Sequence, residues 1–592
     1  MTGPSCSAAS RRRWRVHPND RARSRSGSGE LWIKGGEPRR AVQALRRASG
    51  GARAAGAASA GIALLRKALA VAPADLVGVV RLELADSLAA AGRIDELYAV
   101  AAQALDDLAH DTDRTAAVRL LLARAAVAAG APMEAEQHIE TVTALGDLGP
   151  CRAAQLQIVR AAAAMAGRRT ARTDMAATFA EQAVRAAERA GDEELTCEAL
   201  ELLAMARRPR DLTAAADLLR RELTIAERSG LMLWRLRALN ELGVVEMMRD
   251  ARGERLHRAH ELAMRVGALD TAASISVNLA GLHAMTDDFP GVIAAAAHAR
   301  RLAAPLGATH IVAAAVAIEA VAHGLAGRRA EMERSLHRAA QLAPQDADLI
   351  AYASGGGRGL AALLFEERTE ALAAFSRAHR LGAPIRAGDP WLIALLVRAV
   401  DGVATVSEIE AARAHSATGD RFSTTWLGYA RATAQAAGGD PRAAEVAFEE
   451  AERAADRYPV FRAIALRLVA EVAIAHPFGE PVEWLRDAEA AFLSRRLHRI
   501  ASACRALLGK AGVQVSRRRG VADATLSADL LRLGITAREA EVLELVGERL
   551  SNKEIAGRLY LSPRTVEKHV ASLLRKTGMA DRATLGGLAR QR

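Results

Sequence analysis

The stretch "LSNKEIAGRLYLSPRTVEKHV", Leu550 to Val570, contains two serines that each stand where a helix begins. Ser551 with Glu554 forms an S-x-x-E capping box, in which each side chain satisfies the other residue's backbone N–H. Ser562 precedes Pro563, and proline is favoured at the first helical position because its missing N–H would have been unpaired there anyway. The spacing predicts a short helix Asn552–Leu559, a turn at Tyr560–Leu561, and a helix from Pro563 to about Lys576 that stops at Gly578, which together make a helix-turn-helix. Ala556 supplies the small residue where the second helix crosses the first, and Val566 packs into that contact. Ile555, Leu559 and Leu561 fill the rest of this core. Val566, Val570, Leu573 and Leu574 form an inward stripe at helical spacing. The opposite face carries Arg564, Thr565, Glu567, Lys568, Ala571 and Arg575, and is polar and partly basic with one small residue that permits close approach.

The flanks extend this small domain. Thr536 and Glu539 form a second capping box that opens "TAREAEVLELVGERL", where Val542, Leu543, Leu545 and Val546 give an apolar face. A fourth helix is expected over Arg582 to Arg590, weakened by Gly586 and Gly587. Upstream, the glycines and the run Arg517–Arg518–Arg519 mark an exposed linker, residues 509–527, before the terminal domain 528–592.

Residues 51–508 repeat. "LADSLAAAGRIDELYAVAAQAL" and "ATAQAAGGDPRAAEVAFEEAERAA" show an amphipathic helix, a small-residue turn and a second amphipathic helix. Turns fall near Gly92, Gly130, Gly167, Pro209, Asp250, Asp288, Gly327, Glu367, Gly402, Gly439 and Gly479, at roughly the period of a tetratricopeptide-like (TPR-like) helical hairpin. A single hairpin cannot cover its own apolar faces, so neighbours stack into a superhelix. "SGGGRGL", Ser354 to Leu360, lacks the Lys-Ser/Thr ending of a phosphate loop and reads as a loop between repeats. His257 and His260 could share a helix face, but two imidazoles do not complete a metal site.

Composition agrees with an all-α chain. Hydrophobic residues make up 51% and aromatics only 3%, so the core must be built mainly from Ala, Leu, Val and Ile. Cys6, Cys151, Cys197 and Cys504 are far apart, which excludes a CxxC redox pair or metal knuckle and points to reduced thiols in the cytoplasm. No stretch of about 18 apolar residues predicts a membrane span. The net charge of +12 is localised: residues 1–47 carry twelve Lys or Arg against three Asp or Glu. Residues 1–50 read as a disordered basic tail. No phosphate loop, catalytic triad or metal set appears, so neither an enzyme nor a bound cofactor is expected.

"ITAREAEVLELV", "LSNKEIAGRLYLSPRTVEKHVASLLRKTG" and "DRATL" closely resemble the terminal DNA-binding domain of LuxR/FixJ-type bacterial transcriptional regulators, from about Leu526 to Arg592. The resemblance implies that Glu567, Lys568 and Ala571 read base edges in the major groove. It also implies that Ser551, Asn552, Lys553, Ser562, Arg564, Thr565 and Arg575 contact phosphates, and that Leu585 and Leu588 serve dimerisation. The order of repeats and terminal domain resembles the large LuxR-type regulators, but their nucleotide-binding module is absent. This leaves open an ATPase-free member, a truncated gene or a misassigned start. The expected partners are double-stranded promoter DNA, a second copy of the chain on that DNA, RNA polymerase, and an unidentified effector or protein for the array. The alternative is a TPR-like interaction scaffold with weak or vestigial DNA binding.

Overall fold

The computed structural model describes residues 29–590 apart from 55–57, 147, 167–169, 345, 381–389, 515–529, 531–532 and 560. Gly167, Tyr560 and the arginines at 517–519 therefore lie outside the described residues, as do residues 1–28 of the expected tail. Every described element is helical, apart from one isolated bridge between Asp211 and Thr418. The fold is all-α: TPR-like helical hairpins followed by a small helix-turn-helix domain.

The hairpin turns follow from local chemistry. After the helix Thr112–Ala128, Gly130 takes φ 71°. Its N–H donates to the Val127 carbonyl, and Ala131 N–H donates to the Ala126 carbonyl at 2.8 Å. This left-handed cap satisfies carbonyls that the helix end leaves open. The next helix often starts on an aspartate. Asp440 accepts from Ala443 N–H at 3.0 Å and Asp211 accepts from Ala214 N–H at 2.9 Å. Such a cap contributes about 1 kcal/mol.

Stacking buries rows of alanine, such as Ala259, Ala263, Ala272 and Ala296. Where helices come closest, glycine replaces alanine: a Cβ on Gly243 would meet Leu256 at 2.7 Å, and one on Gly428 would meet Ala451 at 2.9 Å. The repeat period recurs in the ion pairs, which join equivalent positions of successive hairpins: Arg39–Asp75, Arg46–Glu83, Arg152–Asp113 and Arg237–Glu201. The exposed ones contribute at most about 1 kcal/mol each, so they set register more than stability.

Three expectations need correction. "SGGGRGL" is not a loop but lies within the helix Ala347–Leu364. A Cβ on Gly355 would collide with Ala378, one on Gly357 would lie 3.3 Å from the Ala320 carbonyl oxygen, and one on Gly359 would collide with Phe375. The glycines therefore let two neighbouring helices, Thr309–Leu325 and Arg368–Arg380, approach one helix, and this tertiary packing overrides their low helix propensity. The expected tail contains a helix, Pro38–Ala54, whose Val42 and Leu45 are fully buried, so folded structure begins before residue 51. The scarce aromatics are concentrated: Phe422, Trp426, Tyr458 and Phe461 pack edge-to-face, and Phe448 stacks on Trp484 at 4.0 Å. The chain divides into compact units after Trp484, not at residue 508. The helix His498–Lys510 falls in the second unit, where Arg499 lies 3.2 Å from Glu548.

Within the first unit, loops distant in sequence are joined. Thr418 N–H donates to the Arg210 carbonyl at 2.8 Å, and Leu212 N–H donates back to Thr418 at 3.4 Å.

Candidate nucleic-acid interface

The terminal domain comprises the helices Ala537–Gly547, Asn552–Leu559, Pro563–Thr577 and Arg582–Arg590. Thr536 and Glu539 complete their capping box in both directions, with Thr536 N–H donating to Glu539 Oε2 at 2.8 Å. The second box also closes: Ser551 N–H and Oγ both donate to Glu554 Oε2, at 2.7 and 2.6 Å. At the third helix Ser562 Oγ accepts from Thr565 N–H at 3.1 Å, with Pro563 in the first turn.

The core gathers Ile555, Ala556, Leu559, Val566, Val570 and Leu573 with the first helix's Val542, Leu543, Leu545 and Val546, while Leu561 is half-buried against them. Val566 and Leu573 are completely buried. Their burial fixes the rotation of the helix Pro563–Thr577 and leaves Arg564, Glu567, Lys568, Ala571 and Arg575 exposed on its far side. His569 is half-buried.

Two groups of cations do different work. Lys553, Arg564 and Lys568 are exposed and make no ion pair among the described residues. Others are committed to the framework. Lys576 pairs with Glu539 at 2.6 Å, and Arg558 pairs with Glu548 at 2.6 Å. Arg538 caps the short helix through the Leu559 carbonyl at 2.6 Å. Arg582 donates to Asn552 Oδ1 at 2.7 Å and to the Leu550 carbonyl at 2.6 Å.

Glu539 is the hub of this framework. Besides its cap, it accepts from Ser572 Oγ and Lys576 Nζ on the third helix, both at 2.6 Å. Burial alone would raise its carboxyl, but Lys576, Ser572 and Thr536 together hold it down at about 2. The capping box was legible in the sequence. The ties to Ser572 and Lys576 were not, because no local pattern joins positions on two different helices.

The structure alters two expected roles. Ser551 spends both its N–H and its hydroxyl proton on Glu554, so neither is spare for a phosphate. Leu585 is completely buried in the domain's own core and cannot be offered to a second copy, while Leu588 is half-buried. The fourth helix lies against the first so closely that a Cβ on Gly547 would meet Ala589 at 2.7 Å.

A capped short helix followed closely by a second helix with its outer face bare is the arrangement of a helix-turn-helix domain. Residues 534–589 match the model of the family described as "Bacterial regulatory proteins, luxR family". Over 51 residues the chain is 49% identical to the Putative HTH-type transcriptional regulator Mb0914c of Mycobacterium bovis, covering 9% of this chain and 6% of that protein. Over 61 residues it is 48% identical to Response regulator Rre1 of Synechocystis, covering 10% of this chain and 26% of that protein. The likeness to these curated relatives thus spans a small part of their length. Among solved structures, a Rap protein complexed with Competence and Sporulation Factor aligns with 65% of this chain and 100% of its own, at a TM-score of 0.41 and 12% identity.

Proposed function

We propose that the protein is a sequence-specific DNA-binding transcriptional regulator of the bacterial cytoplasm, not an enzyme. The observation that carries this reading is the helix Pro563–Thr577, held from behind by Val566, Val570 and Leu573 and bare on the face of Glu567, Lys568 and Ala571. A major groove about 12 Å wide admits one helix, and these three side chains suit its edges: Lys568 donates to guanine O6 or N7, Glu567 accepts from cytosine N4, and Ala571 touches a thymine methyl. The uncommitted cations Lys553 and Arg564 contact phosphates on either side, with Asn552, Ser562, Thr565 and Arg575. Donors close to the helix N-terminus gain from its dipole. Two copies bind paired half-sites, using surfaces other than Leu585. The helical array receives an effector or protein partner that changes DNA occupancy and, through it, recruitment of RNA polymerase.

The test is a genome-wide binding map of the tagged full chain, followed by mobility-shift titration of the recovered sites. The reading expects a saturable shift that survives excess nonspecific competitor. A chain that binds all duplexes equally, or none, returns the protein to the scaffold class.

A further inference from the structure

We propose that a groove in the array, between the helices Arg329–Leu342 and Arg368–Arg380 and floored by the helix Ala347–Leu364, binds a small amphiphile with an apolar body and a single carboxylate. This rests on the reading of the array as the effector-receiving part of the regulator.

The groove has a volume of about 820 Å³, within the range of ordinary small-molecule sites. It exists because its surfaces end at Cβ. Ala340 and Ala374 stand on the walls, and Ala351, Ser354, Gly355 and Ala361 lie along the floor. The glycine run explains the floor's depth. It lets the floor helix lie close to the wall helix Arg368–Arg380, with Gly355 against Ala378 and Gly359 against Phe375. Met332 and Ile350 add the larger apolar contacts. An aliphatic body can replace water over this lining, at about 25 cal/mol for each Å² of apolar surface removed from solvent.

Charge selects the head group. The lining contains Arg329, Arg358 and Arg377 against Glu333 and Glu370. Arg358 is already held by Glu333 through two bonds of 2.6 Å. Arg329 pairs with Glu367 and lies 4.1 Å over the Phe365 ring. Arg377 is exposed and makes no hydrogen bond or ion pair among the described residues. One uncommitted guanidinium beside an alanine-lined trough is complementary to one carboxylate, which it can grip through two parallel bonds.

The experiment titrates the full chain by calorimetry with sodium decanoate and, as the uncharged control, 1-decanol. Decanoate is expected to bind saturably and about tenfold more tightly than decanol, a margin typical of one charge-assisted hydrogen bond. Arg377→Ala should bring decanoate down to the decanol level, and Arg377→Lys should restore part of the difference. Ala373→Trp adds bulk at an exposed wall position and should abolish binding of both probes, while the thermal midpoint stays at the wild-type value. Absence of saturable decanoate binding, or wild-type binding by Ala373→Trp, overturns the proposal. Mobility shifts on the same samples separate the two readings. A chain that shifts its DNA site but ignores decanoate loses only the groove. A chain that binds decanoate but shifts nothing keeps the groove and loses the regulator.

Discussion

Replacing Glu539 by Gln keeps the shape of the side chain and removes the charge on which the helix Pro563–Thr577 is tethered. The carboxylate is 6% exposed, so solvent screens it little. Its ionisation lies at about 2, against an ordinary 4.5. At about 1.4 kcal/mol per pH unit, that difference corresponds to roughly 3 kcal/mol of stability. The sign follows from the depressed value. The contribution is complete above pH 4.5, where the unfolded carboxyl is ionised too, and it is lost as pH falls towards 2. Amide hydrogen exchange of Pro563–Thr577 in the full chain reads the local opening free energy without requiring the whole molecule to unfold at once. Glu539→Gln should lower it by about 2–3 kcal/mol at pH 7, since the amide keeps some of the bonds. The gap between variant and wild type should close as the pH is lowered below 4.5. A gap under about 0.5 kcal/mol at pH 7, the scale of an ordinary surface substitution, would refute the tether, as would a gap that does not change with pH.

Three further outcomes follow from particular contacts. Glu222 is fully buried, neither of its carboxylate oxygens has a hydrogen-bond partner among the described residues, and burial, then Glu201, raises its carboxyl to about 9. Glu222→Met should therefore stabilise the array by roughly 3 kcal/mol at pH 7, with an advantage in denaturant midpoint that grows from pH 4.5 to 9. A destabilised variant would mean that the carboxylate is partnered in solution. Gly359→Ala should cost about 1–3 kcal/mol and lower the thermal midpoint, because its Cβ would collide with Phe375; an unchanged midpoint would argue against the close packing of the glycine helix. Arg564→Ala should weaken binding evenly across DNA sequences and reduce the slope of log affinity against log salt by about 1. A change in base preference would show that Arg564 reads sequence.

Much of the terminal domain was legible because its signals are local. Thr536 with Glu539, Ser551 with Glu554, and Ser562 before Pro563 announce helix starts within four residues, and the Val566–Val570–Leu573 stripe fixes which face turns outward. What stayed hidden depends on residues that meet only after folding. Leu585 looked available on an isolated helix, but that helix packs its leucine into the domain's own core. The cap of Ser551 on Glu554 was legible, but that the Ser551 hydroxyl also donates to the Glu554 carboxylate was not. In the array, Gly92, Gly130, Gly327 and Gly439 each take the left-handed conformation expected of a helix end. The glycines of "SGGGRGL" carry the same chemical signal but serve helix contact, and only the neighbouring Ala320, Phe375 and Ala378 distinguish the two uses. The reversed charge order of pairs such as Arg46–Glu83 and Arg152–Asp113 likewise has no signature until the hairpins stack.

The central claim is that the bare face of Pro563–Thr577 reads bases. Its most direct test is the affinity of Lys568→Ala for a recovered site and for the same site with each base pair replaced in turn. Lys568→Ala should lose roughly 1–3 kcal/mol on the native site and become indifferent to substitution at one guanine, with other positions discriminated as before. Equal losses on every duplex, with the base preference intact, would mean that this face meets only the phosphate backbone and does not read sequence.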